Sequence, residues 1–505
     1  MQPTDQFNLP LTGTLTLVLL LFPAISGLLC LFVPKQAKNI AMGSSVISAL
    51  LTAYVIFLFD INFRKGFLAN MQGIVEIPWL KTLNVDFFIG LDGISLLMVI
   101  LTNFLMPLIV LSTWKKDIKQ RGLFYFLMLL MQTALIGVFV SLDAFLYYIF
   151  WELALIPIYF IVLLWGGENR IRITFKFFIY TLSGSLLMLA AIIALYLFSG
   201  NSFHIGDWYS LRLDLNTQRW IFWAFFFAYA IKIPLLPFHS WQPDTYSTAP
   251  NAGAMLLSGI MLKMGIYSIM RWILPITTLA VDAYAGVAII LCIAGVIYGS
   301  WIAIGQKDFK RMVAWSSIAH VGLITAGLFT ISQVGFQGTL VQMIAHGVNV
   351  VGLFFVCEIF MSRMNTTQMD QLGGIRQLAP VFASVFMVIT FASAALPLTN
   401  SFIGEFLLLN ALYETDFIYA TLAGLTIILG AVYMLRGYKA TMLGDTFHSA
   451  GFADLSMSEK LVFFPIVALI VVMGVYPQFI FNLTDESVKF LLFQIDQQLA
   501  PVNSI

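Results

Sequence analysis

The sequence predicts an all-α polytopic membrane protein, and three observations carry that prediction. Of 505 residues, 60% are hydrophobic and only 10% are charged, against about 25% charged in a soluble globular chain. Apolar runs of roughly 20 residues, the length that crosses a bilayer as a helix, recur from end to end. The short alternating segments of a membrane β-barrel do not occur in the sequence. An ordinary soluble enzyme and a disordered chain are thereby excluded. The net charge of +1, from 26 basic and 25 acidic residues, gives no basic excess for nucleic acid. Cys30, Cys292 and Cys357 lie far apart in apolar segments and form no CxxC pair. That argues against a zinc or iron–sulfur site and against a disulfide scaffold. No Lys or Arg precedes the first apolar stretch, which therefore reads as a retained helix and not as a signal peptide.

On the bilayer-length rule, about 14 spans fall at 12–33, 39–61, 90–113, 122–140, 142–165, 173–198, 220–240, 251–272, 282–304, 312–330, 335–360, 378–411, 417–437 and 460–483. The fourth and fifth are nearly continuous and divide at Ser141-Leu142-Asp143. The longest connections, about 62–89, 199–219 and 438–459, read as loops too short for a core of their own. Residues 1–505 are thus expected to form one membrane domain. Odd-numbered loops carry Lys35, Lys38, Lys115, Lys116, Lys119, Arg121, Arg170, Arg172, Lys176, Lys307, Lys310, Arg311, Arg363, Arg376, Arg436, Lys439 and Lys460. Even loops and the tail carry Arg64, Lys65, Lys81, Arg212, Arg219, Arg271 and Lys489. The positive-inside rule places the odd loops in the cytoplasm and both termini on the other side.

Four ionisable residues fall deep within spans: Glu152, Lys232, Lys263 and Glu405. Unpaired, they would cost about 10–14 kcal/mol together on insertion scales. Two are positive and two negative, so pairing through the bundle interior offsets much of that cost. One reading makes them structural ion pairs that lock helices together. The other makes them a relay, because a buried Lys–Glu pair changes protonation when one partner moves, and intramembrane charges are functional candidates by default. His320 and His346 also sit mid-span and can pass protons along a wet polar chain. Each also fits a satisfied core histidine. No HExxH or ExxH set is present, so no metal site is expected. His204 and His448 read as loop residues.

Two spans break in the middle. In the seventh, Lys232-Ile233-Pro234-Leu235-Leu236-Pro237 places two prolines beside a lysine. Each proline removes an amide donor and disrupts the ladder. In the twelfth, Leu396-Pro397-Leu398-Thr399-Asn400 precedes Gly404-Glu405. Non-helical backbone survives in a bilayer only inside protein or beside a wet cavity, and paired broken helices point to internal repeats around a transport site. The breaks are five spans apart. An odd number inverts the topology, which gives inverted five-helix repeats over 122–272 and 282–437 and a final span at 460–483. This pairing sets Glu152 opposite His320 and Lys232 opposite Glu405. A polar row Glu152, Lys232, Lys263, His320, His346, Glu405 then runs parallel to the membrane, with water bridging the longer gaps.

Ala230-Ile231-Lys232-Ile233-Pro234-Leu235-Leu236-Pro237-Phe238-His239-Ser240-Trp241-Gln242-Pro243-Asp244, continuing to Leu262-Lys263, resembles the signature of a known family. Phe150-Trp151-Glu152-Leu153, Phe175 to Thr181, and Met343-Ile344-Ala345-His346-Gly347 match it as well. The family is the antiporter-like membrane subunits of NADH:quinone oxidoreductase (complex I) and of Mrp-type cation/proton antiporters, and the likeness covers nearly the whole chain. Glu405 matches the branch whose second broken helix carries glutamate, where chains L and N carry lysine.

The resemblance implies fourteen helices in two inverted repeats and proton translocation without a redox centre in this chain. It makes Glu152 and Lys232 a coupling pair, Lys263 and His320 the central connection, His346 a hydrating residue and Glu405 the terminal protonatable group. His239 follows the first break, where it can cap the loop. NAD, FMN, iron–sulfur clusters and quinone would reside in partner subunits. Chains L and N would flank this one among lipids in a bacterial inner membrane, with no nucleic acid involved. A sodium/proton antiporter subunit, a structural scaffold and a hydrogenase-complex subunit are the rival readings.

Overall fold

The computed structural model describes residues 10–62, 67–446, 449 and 451–499. The expected loop residue His448, and Arg64 and Lys65, lie outside the described residues. The described chain is predominantly helical. Eleven of its helices are long and apolar enough to cross a membrane: Leu11–Phe32, Pro34–Leu58, Gly93–Ser112, Arg121–Val140, Ala144–Trp165, Arg170–Phe198, Asn251–Ile273, Thr278–Gly305, Gln333–Met364, Phe417–Met442 and Met457–Val475. These coincide with expected spans. At the seventh, tenth and twelfth positions stand Leu215–Lys232, Phe309–Leu328, and Pro380–Ser393 followed by Asn400–Thr415. These helices are either short or carry polar side chains along their length.

The seventh-position helix stops at Lys232, and Gln242–Thr248 resumes beyond an irregular stretch at 233–241. The freed carbonyl of Ile231 is satisfied by the indole of Trp241 at 2.9 Å. At the twelfth position, 394–399 separates the two helical pieces. Two further irregularities were not foreseen. Ala144–Trp165 changes its hydrogen bonding at Ala154, because Pro157 has no N–H for the carbonyl of Leu153. Glu152 sits beside that kink. Asn251–Ile273 contains two π-helical segments, Leu257–Met261 and Ile269–Ile273, which bracket Lys263. Such widened turns free carbonyls and concentrate at functional sites.

Two expectations are corrected. The 62–89 loop contains an antiparallel hairpin, β1 (Gln72–Leu80) and β2 (Val85–Leu91), so the chain is not all-α. Val75 pairs with Ile89 and Glu76 with Phe88. Val75, Val85, Phe88 and Ile89 are buried, and Asn84 takes the left-handed conformation that the turn requires. The signal was the β-rich run Ile74-Val75-Glu76-Ile77, too short to stand out among spans. The last span does not extend to 483. It ends at Val475, and Tyr476-Pro477 turns the chain into a second helix, Gln478–Leu499.

That C-terminal helix is amphipathic, with Ile480, Thr484, Ser487, Val488, Leu491 and Ile495 buried on one side. About 33 Å long at 1.5 Å per residue, it lies along the hairpin face of the bundle. It binds the Gly93 amide through Ser487 at 2.9 Å, Gln337 through Thr484 at 2.9 Å, and Arg212 through Gln498 at 2.8 Å. A Cβ on Gly93 would collide with the carbonyl of Leu483. Gly93→Ala is therefore expected to lift this helix, seen as faster proteolysis after residue 475 in membranes while the spans stay protected. Unchanged proteolysis would refute the tether.

The loops form two faces. Lys38 reaches the carbonyl of Trp114, Trp165 that of Lys119, and the amide of Phe309 that of Thr367. The odd-numbered, Lys- and Arg-rich loops thus share one face, called the basic face below. The hairpin, His204, Tyr209 and the C-terminal helix share the other, where Leu142 binds Phe88 and Tyr209 binds the carbonyl of Arg271.

Candidate functional site

Each of the six residues of the expected row stands on a different helical segment, and four of them lie in series. Lys263, fully buried, donates to the carbonyl of Ser258 at 2.6 Å and meets His346 Nδ1 at 2.8 Å. Ser258 lies in the first π segment, where the widened turn leaves its carbonyl free for the ammonium. The rings of His346 and His320 stand 5.8 Å apart. His320 Nδ1 is 3.2 Å from Glu405 Oε1, and its Nε2 is 3.2 Å from the hydroxyl of Tyr433. Gln342 donates to the same Glu405 oxygen at 3.2 Å.

This order corrects the expected one. His346, not His320, touches Lys263, and His320 lies one step further toward Glu405. The cause is a glycine crossing. A Cβ at Gly347 would come 2.8 Å from the carbonyl of Gly259, and one at Gly259 would come 2.6 Å from Val351. With no side chain at either position, the Lys263 and His346 helices approach closely enough for their polar residues to bond. Among the described residues, His346 Nε2 is buried without a hydrogen-bond partner. Beside it lies a cavity of about 10 Å³ lined by Ser316, His320, Gln342, His346, Asn349 and Ser401 among others, the space of roughly one water.

In the first half the geometry is looser. Lys232 is 3% exposed, and its ammonium lies 5.2 Å from the ring centre of Trp151. Glu152, the next residue, is half-buried and is the charged group that acts on Lys232. Among the described residues no direct ion pair joins the two, and Glu152 Oε1 has no hydrogen-bond partner. The expected coupling pair is thus an electrostatic neighbourhood across an indole. Three hydroxyls link the helices instead. Tyr147, on the Glu152 helix, bonds Ser268 on the Lys263 helix at 2.6 Å and Tyr229 on the Lys232 helix at 3.3 Å. Gly265 permits this approach, since its Cβ would meet Ile233 at 2.5 Å.

His239 does not join the row. It is packed between Tyr298 and Trp315, with ring centres 5.2 and 5.6 Å away. Sequence reasoning missed Tyr433, Gln342 and Tyr147, whose types are ordinary in spans. It also missed the Asn349–Asn400–Ser401 cluster at 2.9–3.1 Å, where two amides in apolar runs were the available signal. Arg271, counted with the even loops, is in fact buried in the second π segment and ion-paired with Asp92. One group with metal-binding chemistry, Glu76, Asp86 and His204, lies at the hairpin. There His204 Nε2 is already 2.8 Å from Asp86.

A lysine, two histidines and a glutamate are thus gathered in the interior of a bundle with eleven helices long and apolar enough to cross a membrane, which makes the chain a polytopic membrane protein with a buried polar centre. Residues 141–430 match the family model described as NADH:quinone oxidoreductase/Mrp antiporter, transmembrane, and the chain belongs to that family. It is 37% identical over 492 residues to NADH-quinone oxidoreductase subunit M of Rickettsia prowazekii (strain Madrid E), covering 94% of this chain and 98% of that one. Against the subunit M of Escherichia coli (strain K12) it is 32% identical over 480 residues, covering 91% and 94%. A chain of respiratory complex I from Thermus thermophilus superposes with a TM-score of 0.87 at 29% identity, over 95% of this chain and 99% of that one. A chain of the Mrp complex from Dietzia sp. DQ12-45-1b, at 17% identity and a TM-score of 0.82, shares the fold over 97% and 100%.

Proposed function

We propose that this chain is a proton-translocating membrane-arm subunit of NADH:quinone oxidoreductase. The carrying observation is the series Lys263–His346–His320–Glu405, bonded at both ends and joined in the middle by two imidazole rings 5.8 Å apart beside a cavity of about one water, along which a proton can pass through the bundle centre. The fold is read as fourteen crossings with inverted repeats at 122–272 and 282–437, the breaks at 233–241 and 394–399 being their paired discontinuities. The basic face is cytoplasmic, and both termini lie on the opposite side of a bacterial inner membrane. NAD, FMN, iron–sulfur clusters and quinone belong to partner subunits, and chains L and N are the flanking neighbours.

A charge change arriving from a neighbour perturbs Glu152. Lys232 feels it across Trp151 and exchanges its proton, and the Tyr147–Ser268 hydroxyls carry the disturbance to the Lys263 helix. The fields are strong because the surroundings are of low dielectric. Glu152→Ala and Lys232→Ala are each expected to lower NADH-driven proton pumping sharply while the complex still assembles. Pumping and NADH:quinone turnover in membrane vesicles measure this. Wild-type rates in both variants would overturn the proposal. Sodium-dependent exchange without an electron donor would favour the antiporter reading.

A further inference from the structure

Glu358 is a buried carboxylate that the row does not use. Its side chain is 8% exposed, lies 2.6 Å from the ammonium of Lys116, and accepts a hydrogen bond from Asn251 at 2.8 Å. Its position is what distinguishes it from a simple ion pair. Asn251 begins the helix that carries Lys263, and Glu358 is near the basic-face end of the helix that carries His346. The Asn251–Glu358 contact and the Lys263–His346 contact are therefore two rungs between the same helices. Each pair of positions is twelve residues apart, about 18 Å along the axis.

Space approaches Glu358 from both directions. From the basic face, an open pocket of about 370 Å³ is lined by Lys115, Lys116, Phe355, Glu358, Ser362 and Glu459 among others. From the centre, the cavity beside His346 and His320 extends past Asn349 to Leu353. Leu353 and Glu358 differ by five residues, about 7.5 Å of helix rise. Leu353 and Phe355 are both buried and close that interval with apolar surface. Lys310, donating to the carbonyl of Ala249 at 2.6 Å, also lies within electrostatic reach of Glu358, with Asp308 and Cys357 beside it, while Lys115 and Glu459, the latter paired with Arg363 at 2.8 Å, line the same pocket.

We propose that Glu358 is the proton-exchange site linking the basic face to the Lys263–His346–His320–Glu405 row, with Leu353 and Phe355 as its apolar gate. This rests on the proton-translocation reading above. Water in the pocket delivers a proton to the Glu358 carboxylate, which lets go of Lys116. When the gate wets, the proton passes inward by water to the His346–His320 pair, and the carboxylate binds Lys116 again. No oxidant or reductant is involved.

The test is NADH-driven proton pumping by the intact complex in membrane vesicles. Glu358→Gln keeps the shape and the bond from Asn251 but cannot exchange a proton. Pumping should fall roughly tenfold or more, within what a positioned proton-transfer group contributes. The residual rate should also have a differently shaped pH profile, and Glu358→Asp should restore most of the activity, whereas a purely structural ion pair would leave the pH profile alone. Lys263→Ala is run alongside. A wild-type rate in Glu358→Gln with an impaired Lys263→Ala overturns this inference alone. A wild-type rate in Lys263→Ala overturns the translocation reading beneath it. Should Glu358→Gln fail to assemble, Ser362→Trp decides: Ser362 is exposed at the pocket mouth and, among the described residues, its hydroxyl bonds the carbonyl of Ile359 on its own helix. Its tryptophan should slow pumping with Glu358 intact, and unchanged pumping overturns the proposal.

Discussion

Replacing Arg271 by alanine is expected to destabilise the chain by about 3–5 kcal/mol, the cost of leaving one member of a buried ion pair uncompensated. Arg271 and Asp92 are each 3% exposed in their side chains. Asp92 also caps the Gly93–Ser112 helix, accepting from the Ser95 amide at 2.9 Å with a reciprocal bond from its own amide to the Ser95 hydroxyl. Arg271 in turn holds Tyr267 at 3.3 Å, and Tyr267 holds the carbonyl of Phe139 at 2.7 Å. One guanidinium thus ties the Lys263 helix to two helices on the hairpin face. Against a typical total of 5–15 kcal/mol, such a loss removes much of the folded population. The amount of chain in membranes and its melting in detergent measure this. Adding Asp92→Asn should recover part of the loss, since asparagine still caps a helix and no charge is then stranded. A normal melt in Arg271→Ala would show that the pair is redundant.

Most of the helical fold was legible because a bilayer imposes one demand, about twenty apolar residues per crossing, and little else competes with that signal. The breaks at Pro234 and Pro237 and at Pro397 were legible for the same reason: proline removes a donor wherever it stands. The hairpin was not, because Ile74-Val75-Glu76-Ile77 is short and acquires its partner only through the turn at Asn84. The C-terminal helix was missed because it lies on a face. A length rule for crossings merged its first turn with the preceding span and left the rest as tail.

At the site, the charged members declared themselves by their cost in an apolar run, and so did the histidines. Their order did not. That His346 precedes His320 along the chain of contacts depends on where two helices cross, and the crossing depends on Gly259 and Gly347 being bare. Glycines in apolar runs are common, so neither stood out. The Glu152–Lys232 relation was likewise readable as proximity but not as contact. Whether an ammonium meets a carboxylate or an indole depends on how the two helices are rotated against each other, which spacing along the chain does not carry.

That order yields the second large effect. Lys263→Ala removes the ammonium that bonds both Ser258 and His346, and pumping is expected to fall severalfold or more. His346→Ala removes the other end of the same contact. Two residues that act through one shared bond are non-additive. The double variant Lys263→Ala/His346→Ala should therefore pump within about twofold of Lys263→Ala alone. By contrast, had Lys263 passed its proton directly to His320, His346 would act independently and the two losses would multiply. NADH-driven pumping in matched vesicles, normalised to assembled complex, separates the cases. Multiplying losses would remove His346 from its place between Lys263 and His320. A double variant no slower than the lysine variant would mean that the proton path runs through the imidazole that the glycine crossing brings to Lys263.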